Sequence, residues 1–328
     1  MIQPWWMIAD IGGTNARFWA VSPQTVAPLW QGHYLVGEFP NFSDVLDQVL
    51  IDLKVDQALS HWPERACFAV ACPTDLDRMV FTNSHWNFTR SELVNALGGS
   101  RVSVMNDFVA VAHGVAAMKD GAVHQIGGGR VQLDRPRVVL GAGTGLGVAA
   151  LIPAGDGYIV VESEGGHADY APIGDLQIEV KRKLRSQFNR VCVERVVSGP
   201  GLVNIASALC ALKHRAPRFS TPAEIVAAAL EDQDEVALET LDFFCEVAGA
   251  VAGNLALTFG AKGGVYIAGG VIPRFTSILL KSGFRSAFED KGRFRDYLSE
   301  IPCFLVTQPD LGLFGAAQFL NLEHTNHA

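Results

Sequence analysis

The sequence predicts an α/β protein of two domains, and three observations carry that prediction. Short apolar runs suited to strands alternate along the chain with longer stretches of helical periodicity. The 328 residues are too many for one ordinary core. Two glycine–threonine turns of one design stand far apart in the chain, each between apolar runs, which points to an internally duplicated fold.

The first turn lies in Met7-Ile-Ala9-Asp10-Ile11-Gly12-Gly13-Thr14-Asn15-Ala-Arg17-Phe-Trp-Ala-Val21. An apolar strand stops at Asp10, turns, and leaves as a second strand. Adjacent glycines admit a ligand close to the backbone, and turn N–H groups can converge on an anion. Asp10 is placed to hold a cation beside it, a set suited to phosphate and Mg²⁺. An ordinary glycine hairpin is the alternative. The second turn, in Val138-Val-Leu-Gly141-Ala-Gly143-Thr144-Gly145-Leu-Gly147-Val-Ala-Ala-Leu151, has more glycine than a reversal needs. Its spacing is neither the dinucleotide fingerprint nor a P-loop.

The remaining elements follow in order. A helix is expected from Ser43 to about Leu59, and strands over Arg65–Cys72 and Met79–Asn83. Thr89 and Glu92 form a capping box for a helix that Gly98 stops. A strand over Arg101–Asp107 runs into a helix over Phe108–Met118. Asp120–Pro136, rich in glycine and charge, reads as a linker. After the second hairpin come a strand over Tyr158–Glu162 and a polar loop over Ser163–Asp169. Helices are expected over Asp175–Asn189, Val193–Val197, Gly201–Lys213 and Thr221–Leu230, then a long one over Glu235–Phe259. Strands at Gly264–Gly270 and Pro302–Thr307 and a helix over Leu311–Leu322 complete the chain.

Composition excludes several classes. Hydrophobic residues make up 49% and charged residues 18%, as in a well-buried globular protein. A net charge of −8 argues against a nucleic-acid partner. The six cysteines form no C-x-x-C pair and read as reduced core residues of a cytoplasmic protein. The N-terminal stretch has no basic region or cleavage site, so no signal peptide is expected. Val247–Ala261 is uncharged but short for a membrane span, and Asn254 and Thr258 interrupt it, so it reads as a buried helix. Nothing in the sequence explains Trp5-Trp6.

Three polar groups are candidates for chemistry. Asp107, after Asn106 at a strand end, could take a proton from an attacking hydroxyl or simply start a helix. Glu164 and His167 could bind adjacent hydroxyls of a polyol, ligate a metal, or belong to a plain polar loop. Glu194 alone reads as a solvated or paired helix residue, and Arg17 as a surface cation.

Taken together, these residues identify a resemblance. Asp10-Ile-Gly-Gly-Thr-Asn-Ala-Arg17, Asn106-Asp107-Phe108, Gly141-Ala-Gly-Thr-Gly-Leu-Gly147, Glu164-Gly-Gly-His167, Glu194-Arg-Val-Val-Ser-Gly-Pro-Gly201 and Gly263-Gly-Val-Tyr-Ile-Ala-Gly-Gly270 resemble the bacterial glucokinases, in order, over nearly the whole chain. The resemblance implies two ribonuclease-H-like domains of the actin-like ATPase and sugar-kinase fold around a central cleft. Residues 1–117 with 308–328 would form the small domain and 118–307 the large one.

The resemblance also implies D-glucose as substrate, ATP and Mg²⁺ as cofactors, no nucleic-acid or membrane partner, and a cytoplasmic homodimer. By position, Asp107 would be the catalytic base. Asn106, Asp107, Glu164, His167 and Glu194 would hold sugar hydroxyls. Ala9, Asp10, Ile11, Gly12, Gly13 and Thr14, with Gly141, Gly143, Thr144 and Gly145, would hold phosphates and metal, with Asp10 as the metal ligand. Gly269 and Gly270 would face the nucleoside. Ala168-Asp-Tyr-Ala-Pro172 replaces the cysteine-rich zinc motif of the related ROK kinases, so no structural zinc is expected.

Among rival readings, a kinase for another hexose or an amino sugar would share these residue types. A sugar-responsive transcription factor lacks room before the first hairpin for a DNA-binding domain. A chaperone-like or filament-forming ATPase would lack the Glu164, His167 and Glu194 set.

Overall fold

A computed structural model describes residues 4–57, 61–81, 84–119 and 121–325. The chain divides into two compact units, Met1–Lys119 with Gln308–Ala328, and Asp120–Thr307.

The first unit opens with β1 (Trp6–Ile11), β2 (Asn15–Val21) and β3 (Pro28–Leu35), followed by helix α1 (Phe42–Gln57) and β4 (Arg65–Val70). Two short strands, β5 (Arg78–Val80) and β6 (Asn87–Thr89), pair antiparallel. Helix α2 (Arg90–Ala96), β7 (Arg101–Asn106) and α3 (Asp107–Ala117) follow. The main sheet has the order β3-β2-β1-β4-β7. β1 is its centre, antiparallel to β2 and parallel to β4, and its side chains enter separate cores on the two faces, so the strand reads as a continuous apolar run.

That position explains Trp5-Trp6. Neighbouring residues of a strand point to opposite faces. Trp5 joins Met7, Ala9 and Ile11 in a core against Val45, Leu46, Val49 and Leu53 of α1. Its indole N–H donates to the His61 carbonyl at 3.2 Å. Trp6 joins Ile8, Cys67 and Ala69 in a second core.

The second unit begins with β8 (Val123–Gly127), β9 (Arg137–Ala142), β10 (Leu146–Ala154) and β11 (Gly157–Ser163). Helices α4 (Gly174–Phe188), α5 (Gly199–Leu212), α6 (Pro222–Leu230) and α7 (Glu235–Phe259) follow, then β12 (Val265–Ala268). Three short helices, α8 (Thr276–Leu279), α9 (Phe284–Glu289) and α10 (Arg295–Ser299), lead to β13 (Cys303–Val306). The sheet order is β11-β10-β9-β12-β13-β8. Val138, Leu140, Val148, Ala150, Val265 and Ile267 on one face meet Leu202 and Ile205 of α5, Ile225 of α6 and Leu241 and Phe244 of α7. Among the described residues, no helix is long and apolar enough to cross a membrane.

The chain then returns to the first unit as α11 (Leu311–Thr325), which lies along α3. Leu313, Ala316, Ala317 and Leu320 complete the core around Trp6 and Ile8. The two helices touch through glycine: a Cβ on Gly315 would stand 1.8 Å from the Ala110 carbonyl oxygen, and one on Gly114 2.7 Å from that of Leu311.

Several expectations hold in detail. The Thr89–Glu92 capping box is formed, the helix expected from Thr221 opens with a capping box of its own to Glu224, and α7 spans Glu235–Phe259, stopped by Gly260 at φ 61°. Others are corrected. The expected linker contains β8, a largely polar edge strand antiparallel to β13, which its exposed His124 and Gln125 disguise. β3 adds a strand to those expected, since an edge strand with Gly32 in its middle shows little apolar alternation. Val193–Val197 is only a single 3₁₀ turn, Val193–Arg195. α5 starts earlier than expected, with Pro200 inside its first turn. Asp107 opens α3 instead of closing a strand. The expected positions Ala58, Leu59, Thr82, Asn83 and Asp120 lie outside the described residues.

Candidate active site

In the first unit, the β1–β2 hairpin sets Asp10 directly across from Arg17. The Arg17 guanidinium lies 3.9 Å from the Asp10 carboxylate and 3.6 Å from that of Asp310. Burial pushes the Asp10 carboxyl above its ordinary range, Arg17 opposes the rise, and Asp310 adds to it. A half-buried carboxylate of this kind favours a nearby cation. The start of α11 walls the site: a Cβ on Gly312 would stand 3.3 Å from Asp10 Oδ2.

The turn is narrower as an anion nest than its sequence suggests. The Gly12 N–H is spent inside the hairpin, donating to the Asn15 carbonyl at 2.9 Å. The Gly13 and Thr14 amides remain as the donors the turn can offer. Ala9 and Ile11 are fully buried in the core, so only their backbone can face a ligand.

Asn106 and Asp107 stand together at the start of α3. Asn106 is the N-cap of α3, its Oδ1 accepting the Phe108 N–H at 2.8 Å. Asp107 is the first helical residue, an acidic group in the first turn of α3. Burial, with the Asp107 charge second, pushes the nearby Cys72 thiol up to about 11.

In the second unit, Gly141 and Ala142 end β9, Gly143-Thr144-Gly145 make the turn, and Leu146 and Gly147 begin β10. The Gly143 N–H donates to the Gly145 carbonyl at 2.9 Å. Gly269 has φ 86°, and a Cβ there would stand 2.4 Å from the Ala142 carbonyl oxygen. The Val271 N–H donates to that same oxygen at 3.1 Å, which brings Gly269 and Gly270 beside the turn.

The polar loop forms a 3₁₀ turn, Gly165–His167. Gly166 has to be glycine, since a Cβ would stand 2.1 Å from the Leu146 carbonyl oxygen. The Val193 N–H donates to the Ala168 carbonyl at 2.9 Å and the Tyr170 N–H to that of Val191 at 3.1 Å. This pairing draws Glu194 alongside His167. His167 Nδ1 then lies 3.9 Å from Glu194 Oε1, and Nε2 3.8 Å from Glu164 Oε2. One imidazole between two carboxylates offers both donors and acceptors to a ring of hydroxyls. Among the described residues, no three such side chains stand close enough together to hold a metal ion.

The structure thus gathers Glu164, His167 and Glu194 with the second glycine turn and the Gly269–Gly270 pair. In the first unit it gathers Asp10 with the first turn. Sequence reasoning missed Ser198, which N-caps α5, and Gly199, whose N–H donates to the Gly143 carbonyl at 2.8 Å. A serine just before Gly-Pro-Gly was a legible capping signal. It also missed Asp310 and Gly312, which nothing local connects to Asp10.

Two α/β units, each carrying a glycine hairpin at its sheet, place this chain in the sugar-kinase class of the two-domain actin-like ATPase fold. The fold matches the crystal structure of a glucokinase from an Antarctic psychrotroph with a TM-score of 0.82 and 33% identity, covering 97% of this chain and 99% of that one. Residues 7–323 match the glucokinase family. The chain is 40% identical over 324 residues to a glucokinase of Hahella chejuensis, covering 98% of each. It is 41% identical over 314 residues to one of Tolumonas auensis, covering 96% of each. The chain belongs to the glucokinase family.

Proposed function

We propose that this chain transfers the γ-phosphoryl group of ATP to the 6-hydroxyl of D-glucose, giving glucose 6-phosphate and ADP. The observation that carries the reading is the Glu164–His167–Glu194 cluster, joined to a glycine turn by the hydrogen bond from the Leu146 N–H to Glu194. Its chemistry suits sugar hydroxyls beside phosphate.

Phosphoryl transfer passes through a loose transition state, so positioning and charge neutralisation outweigh base strength. Asn106, Asp107, Glu164, His167 and Glu194 bind hydroxyls and orient the sugar. The 6-oxygen attacks the γ-phosphorus, the bond to the departing β-phosphate oxygen breaks, and ADP leaves with that electron pair. Asp107 accepts the hydroxyl proton late in the transfer. The turn amides stabilise phosphate oxygens, and the Gly269–Gly270 backbone lies against the nucleoside.

The residues present fit Mg²⁺. That ion takes one or two carboxylates and leaves its remaining positions to water and phosphates, which suits the partly exposed carboxylate of Asp10 beside the turn. When bound, Mg²⁺ supplies neutralisation of phosphate charge.

A coupled assay over a panel of hexoses and phosphate donors tests the reading. Glucose-dependent ADP release with Mg·ATP is expected, and its absence would exclude the proposal. In the same assay, His167→Ala should raise KM for glucose far more than KM for ATP. The loss corresponds to about 0.5–1.5 kcal/mol for one hydrogen bond to a neutral hydroxyl. An equal rise in both constants would show that His167 does not meet the sugar.

A further inference from the structure

One carboxylate in the second unit is shared between two neighbours. Glu194 Oε2 accepts the Leu146 N–H at 3.0 Å, at the closing end of the glycine turn. Glu194 Oε1 faces His167 Nδ1 at 3.9 Å. The room for this arrangement comes from Gly145, where a Cβ would stand 2.5 Å from Glu194 Oε2.

The backbone around Glu194 is tied to the other end of the same turn. Its carbonyl accepts the Ser198 hydroxyl at 2.7 Å, and Ser198 caps α5. Gly199, the first residue of α5, donates to the Gly143 carbonyl at 2.8 Å. The segment from Glu194 to Gly199 therefore grips the turn at Gly143 with its backbone and at Leu146 with a side chain. Only the side-chain grip can be released without moving a helix.

We propose that Glu194 is a positioning residue that couples sugar binding to nucleotide binding. This rests on the reading of the cluster as a sugar site and of the turn as a phosphate site. The Glu194 side chain is 25% exposed, so without sugar the carboxylate has solvent-facing rotamers that leave the Leu146 N–H and loosen the turn. A sugar hydroxyl bonded to Oε1 removes those rotamers and holds the turn in its phosphate-binding shape. The nucleotide then loses less conformational freedom on binding. Linkage makes the effect reciprocal: nucleotide tightens glucose by the same factor.

The test is calorimetric titration of a non-hydrolysable ATP analogue with Mg²⁺, in the absence of glucose and at saturating glucose. The native chain should bind the analogue at least about fivefold more tightly with glucose. Glu194→Asp keeps the charge but withdraws it from the Leu146 N–H, and should bring that ratio close to unity while glucose binding weakens. Gly145→Ala drives the carboxylate off the turn and should do the same. Glu194→Gln keeps an oxygen that can accept from Leu146, so glucose should bind more weakly with the ratio retained. A ratio unchanged in both Glu194→Asp and Gly145→Ala would overturn the coupling, because a purely structural defect lowers thermal stability and both affinities together. A native ratio of one with glucose bound would overturn it also. Failure of the native chain to bind glucose would instead remove the sugar-site reading beneath it.

Discussion

Asp107→Asn is expected to fold normally, to keep measurable glucose binding, and to lose kcat by about 10²–10⁴-fold. The N-cap bond of α3 belongs to Asn106, so the substitution removes no cap. The exchange takes a favourable charge from the first turn of a helix, worth about 0.3–1 kcal/mol, and keeps a side-chain oxygen in its place. The amide is nearly the same size as the carboxylate, so packing is retained. It cannot take the hydroxyl proton, and a base role does not survive the exchange. Thermal unfolding, glucose binding and turnover should be measured on one preparation. A folded variant that turns over at a near-native rate would show that Asp107 is structural and that the proton goes elsewhere.

Gly315→Val is expected to destabilise the first unit by about 3 kcal/mol, at the upper end of what overpacking costs. The obstacle is backbone. A Cβ at 315 would stand 1.8 Å from the Ala110 carbonyl oxygen and 2.5 Å from the Gly114 nitrogen, atoms that α3 cannot move without shifting as a whole. Those helices cover the core around Trp6 and Ile8, so separating them opens it to water. Gly315→Ala should lie between the native chain and the valine variant. Denaturant midpoints read the effect, and a valine variant as stable as the native chain would mean that α3 and α11 do not pack through these glycines.

Much of this molecule is legible in the sequence, for reasons that differ from place to place. The long helix over Glu235–Phe259 declares itself by length, apolar content and a glycine stop. The capping boxes at Thr89 and Thr221 are local devices that need only three residues to state themselves. The central strands read clearly because burial on both faces leaves them uniformly apolar. Edge strands do not: β3 and β8 carry exposed polar residues, and one of them was hidden in a stretch that reads as a linker. Within the site, the residue types of Glu164, His167 and Glu194 are visible, but their meeting around one imidazole is not. It depends on a backbone pairing between residues 168–170 and 191–193. The contact of Asp10 with Arg17 follows from the hairpin register, whereas that with the start of α11 spans almost the whole chain.

That last contact sets an order of events in the cell. The hairpin bearing Asp10 leaves the ribosome first, and α11, which walls it and closes the core behind it, leaves some 300 residues later. At ~5–20 residues per second, the interval is roughly 15–60 s. Through that time the whole of the second unit emerges and has the contacts it needs to fold, while the first unit waits with Trp6 and Ile8 uncovered on the α11 side. Until α11 emerges, the nascent chain thus carries an apolar face of the first unit that this helix later covers.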